Sequence, residues 1–229
     1  MRYTNAKSDY LLGKYLENTH EVELKEKDDK VYIGSAEWGN DYYYLTKGQL
    51  SNREILMDIV CKGAPNVLKY ASHGILSDYF TMEEFTDQNI RTFAYFDYNE
   101  IANKSYVPLE KHIISLVFTD PTIVLERMSY LKEREADRYC DFVLTNDNIL
   151  NVAMRRMCQK SFMLDVVNNK TAKQNYKDVF STFALDNPIS VAHAMNNLNT
   201  NDDKNVTKND KYQMYKLISQ TAYLVPSKN

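Results

Sequence analysis

The sequence predicts a helix-dominated α+β fold, a single domain with a small N-terminal antiparallel β-meander. Three observations predict it. All six glycines (Gly13, Gly34, Gly39, Gly48, Gly63 and Gly74) lie in the first 74 residues, so the tight turns that glycine favours belong to the N-terminal part. Two-residue alternation is confined to residues 20–46. Beyond residue 51, helix-start signals recur ahead of apolar residues spaced three and four apart.

The elements follow in order. Residues 7–18 read as a short helix capped by Ser8, with Tyr10, Leu11 and Leu12 opening its apolar stripe. Glu21–Leu24 alternates polar and apolar, Asp28-Asp29 makes a turn, and Val31–Ile33 and Asp41–Thr46 supply two further strands. Ser51-Asn-Arg-Glu54 and Thr81-Met-Glu-Glu84 match the capping box, in which hydroxyl and carboxylate satisfy each other's orphan amides. Asp120-Pro121 and Asn187-Pro188 each place a cap residue before a first-turn proline. Helices are expected near 51–62, 81–90, 121–139, 147–167, 171–184, 188–198 and 210–223. Arg91–Phe96 and His112–Phe118 are short, β-branched or aromatic, and fit a buried strand or a buried helical turn alike. If they are strands, the fold moves to α/β.

The main domain is expected over 1–195, with the meander at 20–46 and helices beyond 51. A solvated Asn/Asp/Lys/Thr loop follows at 196–210, then a C-terminal helix and tail over 211–229. A chain of 229 residues with 44% hydrophobic and 26% charged residues has an ordinary globular composition, which excludes wholesale disorder. No apolar stretch approaches the roughly 20 residues of a bilayer crossing. Residues 1–20 carry no signal-peptide core, so the expected location is the cytoplasm of a host cell or a virion, not the secretory route. There are 22 Asn, 18 Tyr and 20 Lys against 8 Arg. That bias follows AT-rich codons and points to a phage, a virus or a low-GC microbe.

Charge is partitioned along the chain. Residues 78–147 hold 7 basic and 14 acidic groups, and residues 148–229 hold 11 basic and 6 acidic. An acidic middle and a basic C-terminal third fit contacts within a subunit, or head-to-tail contacts of the kind that build rings.

Most chemistry is struck off by missing parts. Leu12-Gly13-Lys14-Tyr15 has too few glycines for a phosphate cradle, and no Gly-x-Gly occurs for a dinucleotide. His20, His73, His112 and His193 are isolated. Asp97–Glu100 resembles the start of a calcium loop but has Ala102 and Pro108 where glycine and glutamate are required. Ser72, His73 and Asp78 are the one local cluster of nucleophile, base and acid types, and adjacent residues on a helix do not face each other. Cys61, Cys140 and Cys158 are expected as reduced, mostly buried thiols, with Cys61 in the core beside Ile59 and Val60. No catalytic, cofactor-binding or metal-binding residue is therefore expected.

Two constellations remain. Trp38 with Tyr42, Tyr43 and Tyr44, and Tyr95 with Tyr98, are interface candidates, because Tyr and Trp bury large areas and keep a polar tip. In a strand, Tyr42 and Tyr44 share one face and Tyr43 takes the other. Arg155, Arg156 and Lys160 form a basic strip that suits phosphates, followed by Lys170, Lys173 and Lys177.

Three segments resemble nucleoside-monophosphate kinases of the guanylate kinase group. Asp41–Thr46 is similar to their acceptor-site strand. His112–Phe118 with Thr119-Asp120-Pro121 and Leu125–Met128 is similar to a late core strand and the lid helix. Tyr139–Asp147 is similar to the terminal strand. The resemblance implies a kinase-like fold, and the missing phosphate loop and missing arginine pair before Asp41 imply that it lacks kinase activity.

The leading expectation is a non-enzymatic structural or assembly protein acting by protein–protein contact in a homo-oligomer, such as a head-tail connector or neck ring of a phage or viral particle. Its partners would be itself and other proteins of the assembly. The second is a degenerate kinase-like nucleotide-binding protein without a phosphate loop. The third is a nucleic-acid-binding accessory factor using the basic strip, not favoured because the chain carries a net charge of −3. No membrane partner and no cofactor are expected.

Overall fold

The computed structural model describes residues 2–39, 41–104 and 108–157. Helices expected at 171–184, 188–198 and 210–223, and the domain boundaries expected near 196 and 211, lie outside the described residues. The chain forms two compact units, residues 1–109 and 110–229. Helix dominates, and the fold is mixed α+β. Among the described residues no helix is long and apolar enough to cross a membrane.

The first unit is built on a four-stranded sheet. Its strands are β1 (Arg2–Thr4), β2 (Glu23–Lys27), β3 (Lys30–Gly34) and β4 (Asp41–Tyr44), in the spatial order β1-β4-β3-β2. The expected meander is β2-β3-β4, antiparallel throughout. A fourth strand, β1, extends it in parallel along β4. Three residues carry too short a pattern to announce a strand, so β1 is legible only from its partner. Asp28 and Asp29 both take positive φ, 50° and 55°. Two such residues between paired strands give the twist a two-residue hairpin requires.

Helix α1 (Asp9–Glu17) starts at Ser8, whose hydroxyl accepts from the Leu11 amide, as the sequence suggested. It buries Leu12 and Leu16 and packs on α2 (Arg53–Cys61), which buries Ile55, Leu56, Ile59 and Val60. Two expected caps sit elsewhere. Ser51 ends a 3-10 turn and its hydroxyl donates back to the Lys47 carbonyl, so Asn52 caps α2. Helix α4 (Tyr79–Gln88) begins before Thr81, because the Asp78 carboxylate accepts the Thr81 amide at 2.8 Å. A short α3 (His73–Leu76) precedes it, and α5 (Tyr98–Lys104) follows.

Both ambiguous segments are helical, so the α/β alternative is not realised. Ile90–Tyr95 is a 3-10 helix capped by Asn89, with Thr92, Phe93 and Ala94 all buried. His112–Phe118 lies inside α6 (Leu109–Thr119). Leu109, Ile113 and Val117 are buried, whereas Lys111 and Ser115, which would share their face in a strand, are exposed, so burial returns every fourth residue as a helix requires and not every second.

In the second unit, α7 (Thr122–Glu133) begins where expected, with Asp120 accepting the Thr122 amide at 2.9 Å and its hydroxyl at 2.6 Å. It ends at Glu133, short of the expected 139. There the Glu135 amide donates to the Lys132 carbonyl and the Ala136 amide to Leu131, with Glu135 at φ 54°. Helix α2 closes with the same pair of bonds, from Gly63 to Val60 and from Ala64 to Ile59, but with glycine at φ 91°. A glutamate thus stands in the left-handed position that glycine fills more easily. Glu135→Gly is expected to raise stability by about 1 kcal/mol, and thermal unfolding would then shift upward by about 2–4 °C. Helix α8 (Asp147–Met157) is capped by Asn146, which accepts from the amides of Asn148 and Ile149.

Candidate binding surface

The register of the sheet sorts its tyrosines. Tyr3 pairs with Tyr42, Tyr42 with Gly34, Tyr44 with Tyr32, and Tyr32 with Lys25. Directly paired residues share a face, so Tyr3, Tyr32, Tyr42 and Tyr44 stand together with Glu23, Lys25, Lys27 and Lys30. Their rings form a continuous row. Tyr3 meets Tyr32 edge-on at 4.9 Å, Tyr42 lies 5.6 Å from Tyr3, and Tyr44 lies 6.0 Å from Tyr32. The lysines cover the rings, Lys25 over Tyr42 at 4.3 Å, Lys27 over Tyr3 at 4.4 Å and Lys30 over Tyr44 at 5.4 Å.

Tyr42 is the buried floor of this face, only 1% exposed. Its ring lies across Gly34, where an added Cβ would stand 2.5 Å from the ring. That missing side chain lets the hydroxyl reach the Glu23 carboxylate, to which it donates, while Lys25 donates to the hydroxyl at 2.6 Å. Lys25 also sits 3.3 Å from Glu23. Tyr3, Tyr32 and Tyr44 are half-buried, and Lys27 and Lys30 are exposed.

Tyr43 points the other way, as alternation along β4 required. It meets Tyr15 of α1 at 5.7 Å and Trp38 at 5.8 Å, and Tyr15 meets Trp38 edge-on at 5.4 Å. The Trp38 indole donates to the Thr19 hydroxyl at 2.7 Å. Lys7 closes the cluster, its ammonium 4.1 Å from the Tyr15 ring and 4.0 Å from the Tyr43 ring. Burial pulls the Lys7 pKa down, but hydrogen bonding and electrostatic attraction from Tyr15 and Tyr43 outweigh it and hold it above the ordinary lysine value. This cluster binds its own cation and fixes α1 against the sheet.

The other sequence candidates are placed as follows. Tyr98 is fully buried, packs 4.9 Å from Phe93 and donates to the Phe93 carbonyl at 2.8 Å. Tyr42 and Tyr98 are therefore core residues of this chain and not exposed anchors. Tyr95 is half-buried at the end of its 3-10 helix. Of the basic strip, Arg156 donates to the Phe118 carbonyl at 2.7 Å and stacks over the Phe118 ring at 4.5 Å. Arg155 lies on α8, while its side chain and Lys160, Lys170, Lys173 and Lys177 fall outside the described residues.

The Ser72–His73–Asp78 cluster is not assembled, since Asp78 caps α4 and His73 faces Asp97 at 3.6 Å. Asp97 in turn caps α5 by accepting the Glu100 amide. Cys61 and Cys140 are exposed, which corrects their expected burial. Cys61 falls on the outward side of α2, opposite Ile55, Leu56 and Ile59. The Cys140 thiol donates to Asp137 at 3.3 Å, and that bond pushes its pKa up. Cys158 lies outside the described residues. Among the described residues, no group of three or more His, Cys, Asp or Glu is placed to hold a metal ion. Of the kinase-like segments, only Asp41–Tyr44 is a strand. His112–Phe118 is helical, and 139–147 is made of turns and the start of α8.

Sequence reasoning missed Tyr3, Tyr32, Lys25, Lys27 and Lys30. Tyr32 and the three lysines lay in plain view on β2 and β3, alternating with Leu24, Val31 and Ile33. Their shared face depends on the register, which a hairpin with positive φ at Asp28 and Asp29 sets. Tyr3 joins them only through β1. No protein-family model, no curated protein and no solved structure matches this chain.

Proposed function

We propose that the chain is a non-enzymatic assembly protein that works by protein–protein contact in a homo-oligomer, as a component of a phage or viral particle such as a connector or neck ring. The observation that supports this reading is a set of large apolar side chains standing in solvent on helix surfaces. On α1, Tyr10 and Leu11 are 68% and 45% exposed, and Phe80 on α4 is 66% exposed. Aromatic side chains bury 150–250 Å² each when covered, on the order of the area that anchors an interface. The charge partition adds direction, because the acidic stretch 78–147 and the basic stretch 148–229 suit head-to-tail contacts, and such contacts close into rings. The Asn-, Tyr- and Lys-rich composition fits a phage or virus, as it fits a low-GC microbe, and the viral reading places the chain in the host cytoplasm and the particle.

The test is the absolute mass of the chain by light scattering after gel filtration, at low and high salt. A closed oligomer at low salt that loosens at high salt is expected. Tyr10→Ser with Phe80→Ser should shift it towards monomer while the circular dichroism spectrum stays unchanged. A monomer at every salt and concentration would remove the homo-oligomer reading.

A further inference from the structure

The tyrosine and lysine face of the sheet lies apart from Tyr10, Leu11 and Phe80, on which the assembly reading rests. We propose that this face binds single-stranded nucleic acid, with bases stacked on Tyr3, Tyr32 and Tyr44 and phosphates held by Lys27 and Lys30. The rings form one contiguous row across three adjacent strands, with centroids 4.9 Å and 6.0 Å apart. A sheet face with aromatic rings among basic side chains is the chemistry that takes unpaired bases, because every base has a π-face and every linkage a negative charge.

The charge of the face matches a polyanion. Its one carboxylate, Glu23, accepts from the Tyr42 hydroxyl and pairs with Lys25. Lys27 and Lys30 remain as exposed cations on the rings of Tyr3 and Tyr44. In this state the lysines lie on the ring faces that bases would use. The exchange favours the nucleic acid. An exposed lysine–ring contact is worth roughly 2- to 5-fold in equilibrium. A stacked base is worth roughly 5- to 150-fold, and the displaced ammonium gains a phosphate. Tyr42, pinned across Gly34, is the buried floor beneath the exchange. A duplex hides its base faces, so the site selects single strands. A negatively charged protein would satisfy the lysines but leave the ring row unused.

The test uses the full chain and a fluorescently labelled oligothymidine, followed by anisotropy across a salt series. Binding is expected at low salt, with log affinity falling against log salt at a slope of about −1.4 for two phosphate contacts on a single strand. Tyr32→Ala with Tyr44→Ala should weaken binding by about 10-fold or more. Lys27→Gln with Lys30→Gln should abolish most of the salt slope. Tyr32→Leu with Tyr44→Leu keeps apolar bulk on the sheet and still removes the stacking, which separates loss of binding from loss of fold. Three results would overturn the proposal. One is no binding at low salt by the folded chain. Another is binding that survives both tyrosine pairs of substitutions. The last is competition by duplex DNA or polyglutamate as strong as that by unlabelled oligothymidine, which would assign the face to a duplex or to an acidic protein. The oligomer mass measured by light scattering is untouched by any of these outcomes.

Discussion

Replacing Asp141 with alanine is expected to cost the protein about 3–5 kcal/mol of folding stability, from the loss of a buried ion pair in the second unit. Arg127 and Asp141 are 6% and 3% exposed, and one guanidinium nitrogen lies 2.6 Å from the carboxylate. A second guanidinium nitrogen, Nε, donates to the same oxygen at 3.2 Å. The other carboxylate oxygen accepts the Val143 and Leu144 amides at 3.2 and 3.1 Å, so Asp141 also caps the turn that leads into α8. Removing it takes an acceptor from the guanidinium and from two backbone amides at once. Asp141→Asn keeps an acceptor for the amides and should cost less. Arg127→Met with Asp141→Asn should be less destabilising than the sum of the two single changes, because the contact the two residues share is then lost only once. Urea unfolding measures this: at an m-value near 2 kcal/mol/M the alanine variant's midpoint should fall by about 2 M. Equal losses for Asp141→Ala and for a surface aspartate such as Asp9→Ala would show that the pair does not hold the core.

Gly34→Ala is expected to destabilise the first unit by about 1–3 kcal/mol, although it adds one methyl group. The added Cβ would stand 2.5, 2.6 and 2.9 Å from three atoms of the Tyr42 ring. The ring has no easy retreat. Tyr3 stacks against it, and its hydroxyl is held by Glu23 and Lys25. The clash is specific to that ring, so in a Tyr42→Ala background the same Gly34→Ala change should cost almost nothing, a non-additivity that a double-mutant cycle reads directly. Thermal unfolding of the four proteins decides it. If Gly34→Ala costs as much without the Tyr42 ring as with it, the strain lies in the backbone and not at the contact. Oligothymidine affinity should fall with Gly34→Ala as well, since a displaced Tyr42 tilts the row above it.

Much of the fold was legible in the residue pattern, and the reasons are local. Ser8 and Asp120 sit where an oxygen meets orphan amides, and each caps the helix that follows it. The polar–apolar alternation of Glu21–Leu24, the turn at Asp28-Asp29 and the tyrosine-rich run Asp41–Thr46 made the meander legible, because such patterns suit strands and hairpins. Where two local solutions compete, the sequence is silent. Ser51 or Asn52 can cap the same helix, and the choice fell to Asn52 because the Ser51 hydroxyl bonds back to Lys47. Thr81 is a good cap by type, yet Asp78 lies one turn earlier and takes the amide first.

The candidate surface shows the same division. That Tyr42 and Tyr44 share a face opposite Tyr43 follows from strand geometry alone. Which face is the core, and what else stands beside the rings, does not. Pairing of β1 with β4 brings Tyr3 alongside a ring 39 residues away in sequence, and the turn at Asp28-Asp29 sets Lys25 opposite Tyr32. Aromatic residues are suited equally to a core and to an interface, so type alone left Tyr42 and Tyr98 among the exposed candidates. Burial separated them from Tyr3, Tyr32 and Tyr44. The chain by itself determined its helical bias, its small sheet and its charge partition, because propensity, periodicity and composition act over a few neighbouring bonds. Only the tertiary structure decided which rings are covered and which lysines lie upon them. Those contacts join residues distant in sequence, and their energy appears only when the strands that carry them are already paired.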